Sequence, residues 1–303
     1  MIEPTEKTFS VSTPARLSIA NIRGSVEIRP GAEGVIHVTA LKQPHTGDDK
    51  HTEIGITQEA DGTVKAAARF PKGNWNWFFG SQPCEVDFVV EAPRLCSLMV
   101  NGVSNSTFAE GFEGDIDINS VSGEITLRDL TGSVRIRTVS GDTAGERISG
   151  ILELETVSGD MMWKESDLCT VRANSVSGDI CMVTSLAEGP YNFKSVSGQV
   201  FLSVPPDSNC TAELHSLSGD LVSTFPVTAC FHHNGTQKVN IHGGGVVISL
   251  NSVSGDLTLE CNGEILPAPG QSEITTVGNH LALLEHIERG EISVDDALQQ
   301  LHA

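Results

Sequence analysis

The sequence predicts an all-β fold: a β-solenoid (β-helix) of ~18-residue, two-strand coils, with a small C-terminal helical hairpin. Three observations carry this. A Val-Ser-Gly-Asp tract recurs through the second half of the chain. Apolar and polar residues alternate with a period of two on either side of it. The composition is that of strands and tight turns: among 303 residues there are 30 glycines, 5% aromatics and a single tyrosine.

The tract Ser120-Val121-Ser122-Gly123-Glu124 returns around Gly141, Gly159, Gly178, Gly198, Gly219 and Gly255. The first six glycines are 18, 18, 19, 20 and 21 residues apart, and the last step is 36, two periods. Gly235, in Asn234-Gly235-Thr236, is therefore expected to mark a degenerate copy between Gly219 and Gly255. Upstream, Gly102-Val103-Ser104-Asn105 reads as a copy with asparagine in place of the glycine. A finer step of nine links Gly114, Gly123, Gly132, Gly141, Gly150 and Gly159.

Each nine-residue unit reads as a short strand and a corner. Ile116 and Ile118 alternate with Asp115 and Asp117, Val134 and Ile136 with Ser133 and Arg135, Leu152 and Leu154 with Glu153 and Glu155. One such unit cannot bury its apolar face, but a stack at ~4.8 Å per coil can. About nine coils would span roughly 40 Å at that spacing. Val121, Val139, Val157, Val176, Val196 and Val253, with Leu217, are expected to form an inward ladder. Ser120, Thr138, Thr156, Ser175, Ser195, Ser216 and Ser252 are expected to form a hydroxyl ladder at the bend before it.

Residues 1–100 read as an irregular β-rich N-terminal part or cap, and 101–264 as the regular solenoid. Asn21-Ile22-Arg23-Gly24-Ser25-Val26-Glu27-Ile28 resembles a worn copy of the repeat. Further strands are expected near 35–41, 54–58, 64–70 and 86–90. A cap matters because a bare end exposes an unpaired edge. Pro267-Ala268-Pro269-Gly270 marks a linker, 265–277. Beyond it, 278–303 reads as a helical hairpin: Leu281, Leu284 and Ile287 in one helix, Ala297, Leu298 and Leu301 in the next, with Ser293 and Asp296 as a capping box.

Charge excludes some functions. With 39 acids against 19 bases the net charge is −20, which rules against a general nucleic-acid binder. No apolar run approaches the ~20 residues of a membrane span. The polar start, Met1 to Phe9, lacks the apolar stretch of a signal peptide. Cys84, Cys96, Cys169, Cys181, Cys210, Cys230 and Cys261 are odd in number and without paired spacing, which fits buried free thiols. The expectation is a cytoplasmic protein, with peripheral envelope association as the alternative.

The Val-Ser-Gly-Asp copies, their spacing and the upstream Asn-x-x-Gly-x-Val-x-Ile segment resemble the bacterial β-strand-repeat candidate-adhesin family, a domain of unknown function. The resemblance covers roughly residues 10–260. The tail from Leu284 to Leu298 is similar to a short helical module of some members, including envelope-stress relatives, where it precedes the repeat; here it follows. The resemblance implies a β-solenoid without catalytic residues or cofactors.

Three candidate sites stand out. Glu124, Asp142, Asp160, Asp179, Asp220 and Asp256, interrupted by Gln199, would stack along one edge. They form either a ladder for a cation or basic partner, or a row of solvated turn residues. Trp75, Trp77, Phe78 and Phe79 cluster between Gly73 and Gly80, as an aromatic anchor or as a plug over the solenoid end. Cys230, His232, His233 and His242 are metal-competent types at a spacing that matches no zinc pattern. No phosphate-binding loop, dinucleotide fingerprint or nucleophile elbow occurs. The leading reading is a non-catalytic scaffold or protein-interaction module, in the envelope-stress or regulatory setting the resemblance implies. Leu284, Ile287, Leu298 and Leu301 are candidates for partner contact or self-association. The alternatives are a surface or glycan-binding adhesin, and a carbohydrate-active β-helix enzyme.

Overall fold

The computed structural model describes residues 4–44, 46–48, 50–70, 82–233 and 235–261, with backbone alone at 227–230 and 232–233. The chain divides into Met1–Asn262 and Gly263–Ala303, and the following concerns the first unit. The expected helical hairpin with Leu284, Ile287, Leu298 and Leu301, and the Trp75, Trp77, Phe78, Phe79 cluster, lie outside the described residues.

Six strands open the unit: β1 (Thr5–Ser10), β2 (Ala15–Pro30), β3 (Val35–Lys42), β4 (Glu53–Gln58), β5 (Val64–Arg69) and β6 (Val86–Ala92). Eight carry the repeat: β7 (Cys96–Glu110), β8 (Ile116–Ser120), β9 (Ile125–Ser140), β10 (Thr143–Ser158), β11 (Met161–Asn174), β12 (Ile180–Leu186), β13 (Tyr191–Ser197) and β14 (Val200–Val204). Six close it: β15 (Cys210–Ser218), β16 (Leu221–Ser223), β17 (Val227–His233), β18 (Thr236–Ile241), β19 (Val246–Ser254) and β20 (Leu257–Cys261). All belong to one hydrogen-bonded sheet, and no helix occurs among the described residues.

The repeat sets the register. β9 and β10 pair in parallel with an offset of 18 throughout, Thr143 against Ile125 and Leu154 against Ile136. Between β10 and β11 the register slips after Gly150, where Leu168 is the partner of Gly150 but Thr170 the partner of Ile151. Cys169 is the extra residue of that bulge. It accounts for the first 19-residue step between repeat glycines. Alternate side chains from two faces of each coil fill the core: Val134, Ile136, Leu152, Leu154, Val171, Ile180 and Met182 are all buried. Burying each such side chain is worth ~1.5–3 kcal/mol before chain entropy is charged against it.

Sequence order and spatial order part company at both ends. The worn copy is a true coil: Asn21 pairs with Gly102 and Gly24 with Asn105. Yet β2 also pairs with β5 and β6, so it lies between these two strands on one side and β7 on the other. At the other end β19 sits between β13 and β15, and β20 between β14 and β16. The final copy, around Gly255, is thus inserted between those of Gly198 and Gly219.

Gly235 does not mark a coil, contrary to the spacing argument. It lies in the turn between β17 and β18, which form an antiparallel hairpin on the outer edge of β15. Asn-Gly between two strands favours a two-residue hairpin turn, and that local preference won over the period. The chain then crosses the start of β15: the Val246 N–H donates to the Asn209 carbonyl, at 3.2 Å. At the opposite end β4 caps β5, β3 caps β6 and β1 caps β3, all antiparallel. Lys7 Nζ donates to the Ile56 carbonyl (2.7 Å) and Gln58 Nε2 to that of Ser10 (2.9 Å), tying β1 to β4. β2 thus continues the stack of coils, while β1, β3 and β4 lie antiparallel beside it.

Candidate functional site

Parity through the repeat corner decides which residues face outward. Ile116 and Ile118 point inward, so alternation carried two residues further puts Ser120 inward and Val121 outward. Ser120, Thr138, Thr156, Ser175 and Ser195 are indeed buried. Val121, Val139 and Val157 are each 48% exposed, Val176, Val196 and Val253 about the same, and Leu217 more so. The expected inward valine ladder is thereby corrected: the hydroxyl ladder lies inside and the valines form an external ridge. Val103 extends it by one coil.

The corner is closed by local bonds that explain the inward hydroxyls. Ser120 and Thr138 each donate to the carbonyl two residues on, at 3.1 Å, and Thr156 does the same at 3.0 Å. The glycine lets successive coils approach. Gly141 has φ +118°, and a Cβ there would sit 2.4 Å from the Gly123 carbonyl oxygen. The same contact confirms the inserted coil, since Gly255 stacks on Gly198 and Gly219 on Gly255.

Beyond each glycine lies the acidic row. It is more than a set of solvated turn residues. Oδ1 of Asp142 accepts the backbone N–H of Asp160, and Asp160 accepts that of Asp179, both at 2.9 Å. Asp179 serves Gln199 at 2.8 Å, and Asp256 serves Asp220 at 2.9 Å. Each carboxylate satisfies one ladder donor of the next coil and keeps its second oxygen and its charge. Other outward acids are neutralised by bases on neighbouring coils: Glu153 by Arg135 (2.6 Å), Glu155 by Arg137 (3.3 Å), Asp129 by Arg147 (2.7 Å). The Arg147 guanidinium beside Asp129 holds that carboxyl below the usual range. Among the described residues no cationic side chain forms an ion pair with Asp142, Asp160, Asp179, Asp220 or Asp256, while such pairs run down the adjoining rows.

A further row was missed in the sequence. Two residues past Asp142, Asp160, Asp179 and Gln199, Ala144, Met162, Cys181 and Phe201 stand in register on adjacent strands, with Thr126 and Thr258 next in the row at its two ends. Continuing the alternation past Asp142 and Asp160 would have found it. Asp142, Asp160 and Asp179 therefore run between the valine ridge and a short apolar row bounded by threonines.

The remaining candidates are placed as follows. His242 accepts no metal-like company: its Nδ1 is 3.0 Å from the Ser208 carbonyl and its ring meets Phe225 edge-on. Cys230, His232 and His233 lie on β17, where backbone alone is described. No group of three metal-competent side chains converges among the described residues. Burial pushes the Cys96 thiol up to about 12 and that of Cys210 to about 11.

The stacked parallel coils with glycine corners define a class. Residues 149–260 match the Toastrack DUF4097 family. The match is confined to those residues and ends short of the tail. A crystal structure of a candidate adhesin from Bacteroides fragilis has a TM-score of 0.51 at 12% identity, covering 85% of this chain and 97% of that one. A second, from Parabacteroides distasonis, has a TM-score of 0.43 at 11% identity, covering 85% and 96%. The first likeness shows the fold and nothing about activity. No curated protein matches the sequence.

Proposed function

We propose that the chain is a non-catalytic scaffold and protein-interaction module, cytoplasmic in location, that engages a partner along its repeat corner. One observation carries the reading. Consecutive coils present an outward, half-exposed apolar side chain at the same corner, from Val103 through Val121, Val139, Val157, Val176 and Val196 to Val253 and Leu217. A continuous exposed apolar row of this length is rare on a monomer's surface and marks an interaction site. The aspartates beside it tie each corner to the next coil, and the Thr138 and Thr156 hydroxyls close the corner within their own coils. The buried Cys96 and Cys210 thiols, paired with no other cysteine, support a reducing compartment.

Affinity capture from the native host tests this, with the full chain against a Val139→Thr/Val157→Thr/Val176→Thr variant. Threonine keeps the shape and β-branching while removing apolar surface. Proteins retained by the natural chain and lost by the variant are the expected result. Identical captures from both would remove the ridge from any binding role. Cell fractionation tests the location, and recovery of the protein outside the cell would overturn it.

A further inference from the structure

We infer that the ridge and the acidic row beside it together seat a basic amphipathic α-helix of a partner protein, lying along the stack. The inference rests on the reading of the ridge as an interaction surface and deepens it. Three features of the corner select this occupant.

Charge is the first. Asp142, Asp160 and Asp179 follow Val139, Val157 and Val176 by three residues each, so the carboxylates run parallel to the apolar ridge. Their Oδ1 atoms are engaged by the next coil, which fixes their positions, yet no base among the described residues neutralises them. On the adjoining rows of the same coils Glu153, Glu155 and Asp129 are paired with arginines, whereas this row is left open. The complement is a row of lysines or arginines next to an apolar stripe. An anionic membrane or a nucleic acid carries the wrong sign.

Spacing is the second. Coils repeat every ~4.8 Å, whereas an α-helix repeats every ~5.4 Å. Helix turns and ridge residues therefore fall out of step by only ~0.6 Å per turn, so about four turns fit before the mismatch reaches half a coil. An extended segment along the ridge would place same-face side chains ~6.7 Å apart, fall out of step by ~1.9 Å each time, and pass half a coil at the second step.

The third is the second apolar row. Met162, Cys181 and Phe201 lie on the far side of the acids, Met162 being 38% exposed. Charges enclosed between apolar rows are partly shielded from water when a helix covers them, which strengthens each pairing.

The test uses the full chain and a fluorescently labelled 18-residue peptide of leucine and lysine, patterned as a helix with lysines along one flank of the leucine stripe. Saturable binding that weakens with salt is expected, with none for the same peptide carrying glutamate in place of lysine. Val139→Thr/Val157→Thr/Val176→Thr should weaken binding roughly ten-fold at unchanged net charge. Asp142→Asn/Asp160→Asn/Asp179→Asn should do likewise, since asparagine keeps the Oδ1 acceptor and removes only charge. Glu6→Gln/Glu33→Gln/Glu53→Gln, with the same change in net charge on the opposite end, should bind like the natural chain.

Binding unaffected by the ridge substitutions, or equally weakened by the distant glutamines, would overturn the proposal. A ridge-dependent doubling of mass in light scattering would assign the ridge to a second copy and also overturn it. Ridge-dependent capture from the host without peptide binding would remove the basic helix alone and leave the ridge as an interaction surface.

Discussion

Oδ1 of Asp142 accepts the backbone N–H of Asp160, one coil further along, at 2.9 Å. A side chain that reads in the sequence as a surface charge is therefore a rung of the backbone ladder at its weakest point, the corner. Asp142→Ala should cost about 1 kcal/mol by leaving that N–H without its partner. Asp142→Asn, which retains the acceptor, should cost much less. Urea unfolding of both variants decides it, and equal losses would show that charge rather than the bond matters.

Two glycines of adjacent function should be intolerant for different reasons. Gly141→Ala places a Cβ 2.4 Å from the Gly123 carbonyl oxygen at φ +118°, strain that local movement cannot relieve. Gly145 is instead occupied from the side, because a Cβ there would lie 2.0 Å from Cε3 of the fully buried Trp163. Each alanine variant is expected to lose on the order of 2–3 kcal/mol in thermal or urea unfolding. At Gly145, pairing the alanine with Trp163→Phe should recover part of the loss, whereas no such rescue exists for Gly141.

Alkaline pH should destabilise the stack through its buried thiols. Burial raises the Cys96 thiol from an ordinary value near 9 to about 12, because the folded core disfavours the thiolate. The folded pKa lies above the unfolded one, so this contribution is complete below pH 9 and is lost as pH rises through about 12. A Cys96→Ala variant should therefore show a flatter decline in melting temperature between pH 9 and pH 11. In the native protein at pH 8, Cys84, Cys96 and Cys210 should resist thiol reagents until the chain unfolds.

The inserted final coil makes a geometric prediction. Lys194 pairs with Asn251, and Asn251 with His215. Cysteines at 194 and 251 should form a disulfide readily, as neighbours about 5 Å apart. Cysteines at 194 and 215, two strands apart, should not. The reverse pattern would restore sequential stacking and refute the insertion.

Much of this architecture was legible in the residues. The 18-residue spacing fixed the parallel register of β9 on β10, and Asn21-Ile22-Arg23-Gly24 was a recognisable coil. The direction of Val121 was also legible, had the alternation from Ile116 been carried through the corner. The order of the last coils was not. Copies such as Ser195-Val196-Ser197-Gly198 and Ser252-Val253-Ser254-Gly255 are nearly identical, so either can stack on any neighbour. What chooses is the β17–β18 hairpin, which takes the outer edge of β15 and sends the chain back. The role of Asp142 was hidden for a related reason: its partner is a backbone donor of another coil, which residue types do not announce.

The central claim is that the repeat corner presents its valines to solvent, where a partner can reach them. Methyl NMR of the full chain with valines labelled, in the presence of a soluble paramagnetic agent, tests it most directly. The Val121, Val139, Val157, Val176 and Val196 methyls should broaden strongly, while those of Val134, Val171 and Val200, buried on the same coils, should not. Ridge valines as protected as Val134 would contradict the account.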